Sequence, residues 1–158
     1  MRVLGEVKRA LDFPREAISP RMSATTVIGM LTESARKKLE ARNFVYLATI
    51  FPDGSPQVTP VWVDTDGEYV LVNTAMGRVK QKNVKKNPEV ALSISDPTNP
   101  YDFLQIRGKV VEQITGRIAE DHIDKLNMKY HGKPKYNHRP GEHRVILKIQ
   151  PEKVSSWG

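Results

Sequence analysis

The sequence predicts a mainly β fold with flanking helices, a closed antiparallel sheet of six strands, and three observations point to it. Short runs of β-branched and aromatic residues are separated by tight turn signals such as Phe51-Pro52-Asp53-Gly54-Ser55 and Asp66-Gly67. Strand patterns do not alternate with helix patterns in the βαβ order that builds a parallel sheet. A chain of 158 residues is the length of one ordinary domain with one core.

Taken in order, residues 1–22 mix charge with Pro14 and Pro20 and show no sustained period, which reads as an N-terminal extension to a domain over 23–158. Residues 24–41 read as a helix with Ser23 as its N-cap and Arg36-Lys37-Lys38 on its wet face. Asn43–Ile50, Pro56–Asp64 and Glu68–Thr74 then form a three-strand meander, whose short loops imply antiparallel pairing. Gly77–Asn87 reads as a short basic helix ended by Pro88. Glu89–Ser95 and Asp102–Ile114 are strands, with Gly108 a bulge or bend in the second. In Gly116–His131 the apolar Ala119, Ile123, Leu126 and Tyr130 recur at helical spacing, which puts His122 toward the wet side. Residues 132–141 are a polar loop, and Glu142–Gln150 is the last strand.

Composition narrows the function classes. With no cysteine, disulfides, thiol nucleophiles and cysteine-ligated metals are excluded. No apolar run approaches the roughly 20 residues of a membrane span, and no apolar stretch follows Arg2 and Lys8 as a secretory signal requires. A cytoplasmic protein is expected. The formal net charge of +7 favours an anionic partner. Nucleic-acid-binding barrels interleave exposed aromatics with basic residues, whereas no aromatic falls inside the basic segment 77–87, which argues against that partner. His122, His131, His138 and His143 form no metal motif, and Asp64 and Asp66 flank a turn and are explained by turn chemistry. No nucleophile elbow or phosphate loop is present. A bound cofactor that carries the chemistry fits that absence.

Two segments suit such a cofactor. After the strand ending at Asn73 and Thr74, the small turn Ala75-Met76-Gly77 opens a helix carrying Arg78, Lys80, Lys82, Lys85 and Lys86 with no acid. Free N–H groups and the helix dipole at its start favour a phosphate, and Arg78 and Lys80 add charge there. Projection places Arg78, Lys82, Lys85 and Lys86 on one broad face, explicable as solvated surface. Lys80 falls on the opposite side with Val79 and Asn83, where a lysine either snorkels outward or meets an anion at the barrel rim. The second segment is Val58-Thr59-Pro60-Val61-Trp62. Its proline has no N–H for a ladder, which marks an ordinary edge strand or leaves backbone groups for a flat heteroaromatic ring.

These segments lie within a longer series: Leu47-Ala48-Thr49-Ile50; Asp53-Gly54-Ser55-Pro56-Gln57-Val58-Thr59-Pro60-Val61-Trp62; Asn73-Thr74-Ala75-Met76-Gly77-Arg78-Val79-Lys80-Gln81-Lys82-Asn83-Val84; Asn87-Pro88 with Val90; and Asn99-Pro100-Tyr101 leading to Ile106-Arg107-Gly108. In order and spacing, over about residues 43–112, this series resembles the pyridoxamine 5'-phosphate oxidase-like FMN-binding split-barrel superfamily. It looks most like the branch of deazaflavin (coenzyme F-420)-dependent oxidoreductases. The resemblance implies a six-stranded split barrel and a homodimer with cofactor sites at its interface. It implies a hydride transfer between FMN or deazaflavin, with deazaflavin slightly favoured, and a small organic substrate. A non-catalytic flavin, deazaflavin or haem carrier is the alternative. By position, Val58, Thr59, Pro60, Val61 and Trp62 would line the ring system, and Asn73 and Thr74 would lie under the ribityl chain. Arg78 and Lys80 would grip the phosphate, Asn83 would support the inner face of their helix, and Tyr101 and Trp157 would reach the second subunit. The vitamin B6 oxidases proper end in an Arg-Leu-x-Pro-type tail, whereas this chain ends in Ser155-Ser156-Trp157-Gly158, so that substrate is not expected.

Overall fold

The computed structural model describes residues 25–157, so the extension 1–22 lies outside the described residues. Its eight strands are β1 (Thr25–Ile28), β2 (Val45–Ile50), β3 (Pro56–Val61), β4 (Val63–Thr65), β5 (Val70–Ala75), β6 (Glu89–Ser95), β7 (Phe103–Ile114) and β8 (Arg144–Trp157). Three helices join them: α1 (Glu33–Glu40), α2 (Val79–Lys86) and α3 (Arg117–His131). All pairings are antiparallel, in the order β3-β2-β6-β7-β8-β5-β4, with β1 on the far half of β8.

The sheet is a curled half-barrel, and its connectivity shows why. The end strands of that order, β3 and β4, are consecutive in the chain and separated by Trp62 alone. One residue spans roughly 3.3–3.6 Å. The two ends of the sheet therefore meet, which a flat sheet cannot do. Inside the curl lie Leu47, Leu92, Leu104, Ile106, Leu147 and Ile149, each at most 2% exposed. Burying such a side chain is worth about 1.5–3 kcal/mol.

The split barrel and antiparallel order follow the sequence reading, with eight strands where six are expected. The helix expected over 24–41 is strand β1 followed by the eight-residue α1, whose N-cap is Thr32: its hydroxyl accepts from Ala35 N at 3.1 Å. Thr25, Thr26, Val27 and Ile28 are all β-branched, and Gly29 ends the run, so local preference and pairing with β8 agree there. The strand expected over 56–64 breaks at Trp62, and the last strand runs to Trp157 rather than stopping at Gln150. Its extra half is paired by both β1 and β7, partners distant in sequence.

Gly108 is a bend, as its residue type suggests. The β7–β8 register steps from Arg107↔Lys153 to Gly108↔Pro151, and a Cβ on Gly108 would collide with the Gln150 carbonyl oxygen. Pro151 sits at the same irregularity, where a missing N–H is tolerated.

Candidate functional site

A cleft of about 220 Å³ opens where the sheet closes on itself. Its wall includes Phe44, Pro60, Val61 and Trp62 from the β2–β3–β4 side and Asn73 and Thr74 from β5. Arg78 and Lys80 reach it from the start of α2, Ile123 from α3, Tyr136 from the following loop and Arg144 from the start of β8.

The aromatic side is built around the strand break. With Trp62 outside both ladders, the Val63 N–H donates to Tyr130 Oη (3.2 Å), which itself donates to Asn43 O at 2.6 Å. Lys129 Nζ donates to Val63 O (2.7 Å) and Leu39 O (2.6 Å). Groups that a continuous strand would pair are thus satisfied by side chains of α3. The Trp62 ring is held by stacking on Tyr130, centroids 5.1 Å apart and 6° between planes, with the edges of His131 and Tyr136 against it. Three aromatic rings fix one flat apolar surface.

The opposite side is cationic. Gly77, at φ +83°, turns the chain into α2, and its N–H donates to Gln81 Oε1 at 3.0 Å. Arg78 is the N-cap residue with no side-chain cap bond, so its side chain extends toward Glu142, 3.8 Å away. Lys80 is half-buried in the cleft wall; burial, then the charges of Arg78 and Arg144, push its amine below the ordinary lysine value. Arg144 is 3% exposed, pairs with Glu142, donates from Nε to Asn73 Oδ1 at 2.8 Å and lies over the Tyr136 ring at 5.1 Å. Burial raises the Glu142 carboxyl, but the Arg139 N–H, the Arg144 hydrogen bond and both arginine charges outweigh it and hold the group ionised. Two arginines thus face one carboxylate, and Lys80 feels the charge of both.

Thr74 Oγ1, at the cleft wall, is buried without a hydrogen-bond partner. An orphaned hydroxyl beside three cations and a flat aromatic wall fits a phosphorylated heteroaromatic ligand. The residues present fit that group.

The residues named from sequence divide as follows. Pro60, Val61, Trp62, Asn73, Thr74, Arg78 and Lys80 come together in the cleft. Val58 points outward and is 58% exposed, Thr59 Oγ1 is buried without a partner, and neither lines the cleft. Asn83 is 3% exposed and donates to Thr49 Oγ1 at 3.0 Å, anchoring α2 on β2. Tyr101 is 68% exposed, while Trp157 stacks on Phe103 of the same chain.

Arg144, Phe44 and Tyr136 escape the sequence reading. In sequence Arg144 looks like one more charge in the polar start of the strand expected over Glu142–Gln150, and the pairing Ala75↔Arg144 brings it beside the start of α2. Two expectations are corrected. His122 is 8% exposed, not on the wet side: α3 rests on β5 and β8 with a stripe wide enough to include it beside Ala119 and Ile123. Its Nδ1 meets Asn73 Nδ2 at 3.1 Å, and its Nε2 lies 3.4 Å from Asp64 Oδ2. Asp64 is likewise no turn carboxylate. It is 6% exposed and accepts from Lys125 Nζ at 2.6 Å; burial opposes its charge, but His122, 3.4 Å away, and the Lys125 hydrogen bond hold it well below the usual carboxylate range. Asp66 does serve the turn, accepting from Glu68 N and Tyr69 N.

Comparison with known proteins agrees with this geometry. The family model for pyridoxamine 5'-phosphate oxidase matches residues 31–158. A solved structure described as an F420 reductase is 35% identical, covers 78% of this chain and 98% of its own, and superposes with a TM-score of 0.68. The conserved hypothetical protein Rv2991 from Mycobacterium tuberculosis is 20% identical, with 82% and 86% covered and a TM-score of 0.64. HupZ of group A Streptococcus is 14% identical, with 77% and 90% covered and a TM-score of 0.55; both share the fold. No curated protein sequence matches. With that span matched, and with a curled antiparallel barrel bearing the cleft at its closure, the chain belongs to the pyridoxamine 5'-phosphate oxidase family.

Proposed function

We propose that the protein is an oxidoreductase that binds a phosphorylated deazaflavin or FMN in the Trp62 cleft and transfers a hydride between it and a small organic substrate. One observation carries the reading: Arg78, Lys80 and Arg144 converge with the unpartnered Thr74 hydroxyl at one end of a cleft whose other wall is the Trp62 aromatic stack. The 35% identity to the F420 reductase favours deazaflavin.

When bound, such a ring supplies the two-electron chemistry, which the side chains of this cleft do not. The chain's own residues bind and orient. Arg78, Lys80 and Arg144 hold the anionic end, and Thr74 Oγ1 donates to a ligand oxygen. Trp62, with Phe44 and Pro60, gives the ring a dry surface.

The working unit in this proposal is a homodimer. A cleft of about 220 Å³ is smaller than the roughly 300–1,000 Å³ of typical ligand pockets, so one chain supplies part of a site. Beside it, the register Tyr46↔Pro60, Ala48↔Val58 and Ile50↔Pro56 puts six apolar residues on one face of the β2–β3 edge. Tyr46 and Val58 are more than half exposed, as an interface with a second copy requires. Exposed Tyr101 would reach that copy, while Trp157, stacked on Phe103, would meet it with its remaining surface.

The test is a parallel fluorescence titration of cofactor-stripped protein with FMN and with the deazaflavin. Tight binding of the deazaflavin, followed by its turnover with a panel of acceptors, is expected. Binding of neither by folded protein overturns the proposal, and tight binding without turnover leaves a carrier. Among the described residues no helix is long and apolar enough to cross a membrane.

A further inference from the structure

Behind the cleft, a buried chain of polar groups leads from Arg144 to Asp64. The links through Asn73 are hydrogen bonds with a fixed donor and acceptor, and the last step, from His122 Nε2 to Asp64 Oδ2, is a 3.4 Å approach with no hydrogen bond formed. Arg144 Nε can only donate, so Asn73 Oδ1 faces it at 2.8 Å. Ala119 O can only accept, so Asn73 Nδ2 faces it at 2.9 Å. The amide orientation is thereby determined from both ends. The second hydrogen on Nδ2 points to His122 Nδ1 at 3.1 Å, and that nitrogen must accept. A neutral imidazole accepting at Nδ1 carries its proton on Nε2, on the side of Asp64 Oδ2 at 3.4 Å.

We propose that His122, neutral and protonated on Nε2, is a positioning residue for the cleft: through the Asn73 amide it fixes the Arg144 guanidinium against the anionic end of the bound cofactor. The role in binding rests on the cofactor reading above. The link itself does not.

The experiment compares His122→Asn, His122→Leu and wild type in titrations with the deazaflavin and with FMN at pH 8, with thermal unfolding as the folding check. An asparagine oxygen can stand where Nδ1 stands and accept from Asn73. H122N should bind within roughly threefold of wild type at pH 8, and H122L should bind about tenfold or more weakly. H122L binding as tightly as wild type, or H122N binding as weakly as H122L, overturns the proposal. The tautomer is read independently, without a variant or a ligand, from long-range 1H–15N spectra. For the buried imidazole at pH 8 a proton on Nε2 is expected, and a proton on Nδ1 overturns the link. A wild type that binds neither cofactor sinks the cofactor reading, while the spectra still decide the link.

Discussion

Lys80 stands half-buried between Arg78 and Arg144, so its charge is tolerated at a cost that a bound anion would offset. Lys80→Ala should weaken cofactor binding by roughly 10- to 150-fold, the worth of a charge-assisted contact of about 1.5–3 kcal/mol. Unchanged affinity in the same titration would remove Lys80 from the site. Asp64 makes a different prediction. Its carboxyl lies below its unfolded value, so it stabilises the fold above the ordinary aspartate range, and that contribution fades as pH falls through and below about 4. Asp64→Asn should cost about 1–3 kcal/mol at pH 7. The gap between the two unfolding temperatures should close on acidification; a gap constant from pH 7 to pH 3 would contradict the assignment.

At the scale of elements, the Trp62 break shapes the cleft and the Gly108 bend shapes the β7–β8 ladder. Tyr130 Oη bridges Val63 N and Asn43 O at the break. Tyr130→Phe leaves both groups unpaired while keeping the ring stacked on Trp62, and about 1–3 kcal/mol of destabilisation is expected. Chemical denaturation would measure it, and a loss under 0.5 kcal/mol would mean that water replaces the hydroxyl without cost. Gly108→Ala forces a methyl into the Gln150 carbonyl oxygen, with backbone on both sides of the clash. The expected cost is at least about 2 kcal/mol, because neither strand can move without disturbing the β7–β8 ladder.

For the whole molecule, the apolar β2–β3 face and the small cleft lead to one prediction. Sedimentation should give twice the 17.9 kDa chain mass. Tyr46→Arg, a charge on the exposed face, should return the mass to a single chain and weaken cofactor binding by about tenfold or more, since each chain would lose the partner's share of the site. A monomeric wild type with full affinity would show that one chain suffices.

Much of the fold was legible because it is written locally. The turns at 51–55 and 66–67, the alternating strands, the basic helix start and the Gly108 bend depend on residue types within a few positions of one another. So did the cleft's two main walls, the Pro60–Trp62 segment and the Arg78–Lys80 helix start, each carrying its own chemical signal. The tertiary structure decided what lies between distant segments. The outer half of β8 is a strand because β1 pairs with it on one side and β7 on the other, and no local signal extends a strand past Gln150. Arg144 enters the cleft by register with Ala75, and His122 and Asp64 are buried because α3 covers β4 and β5. Local sequence sets what each residue can do, while the neighbours that decide whether a charge is solvated or buried are brought together only when the sheet closes.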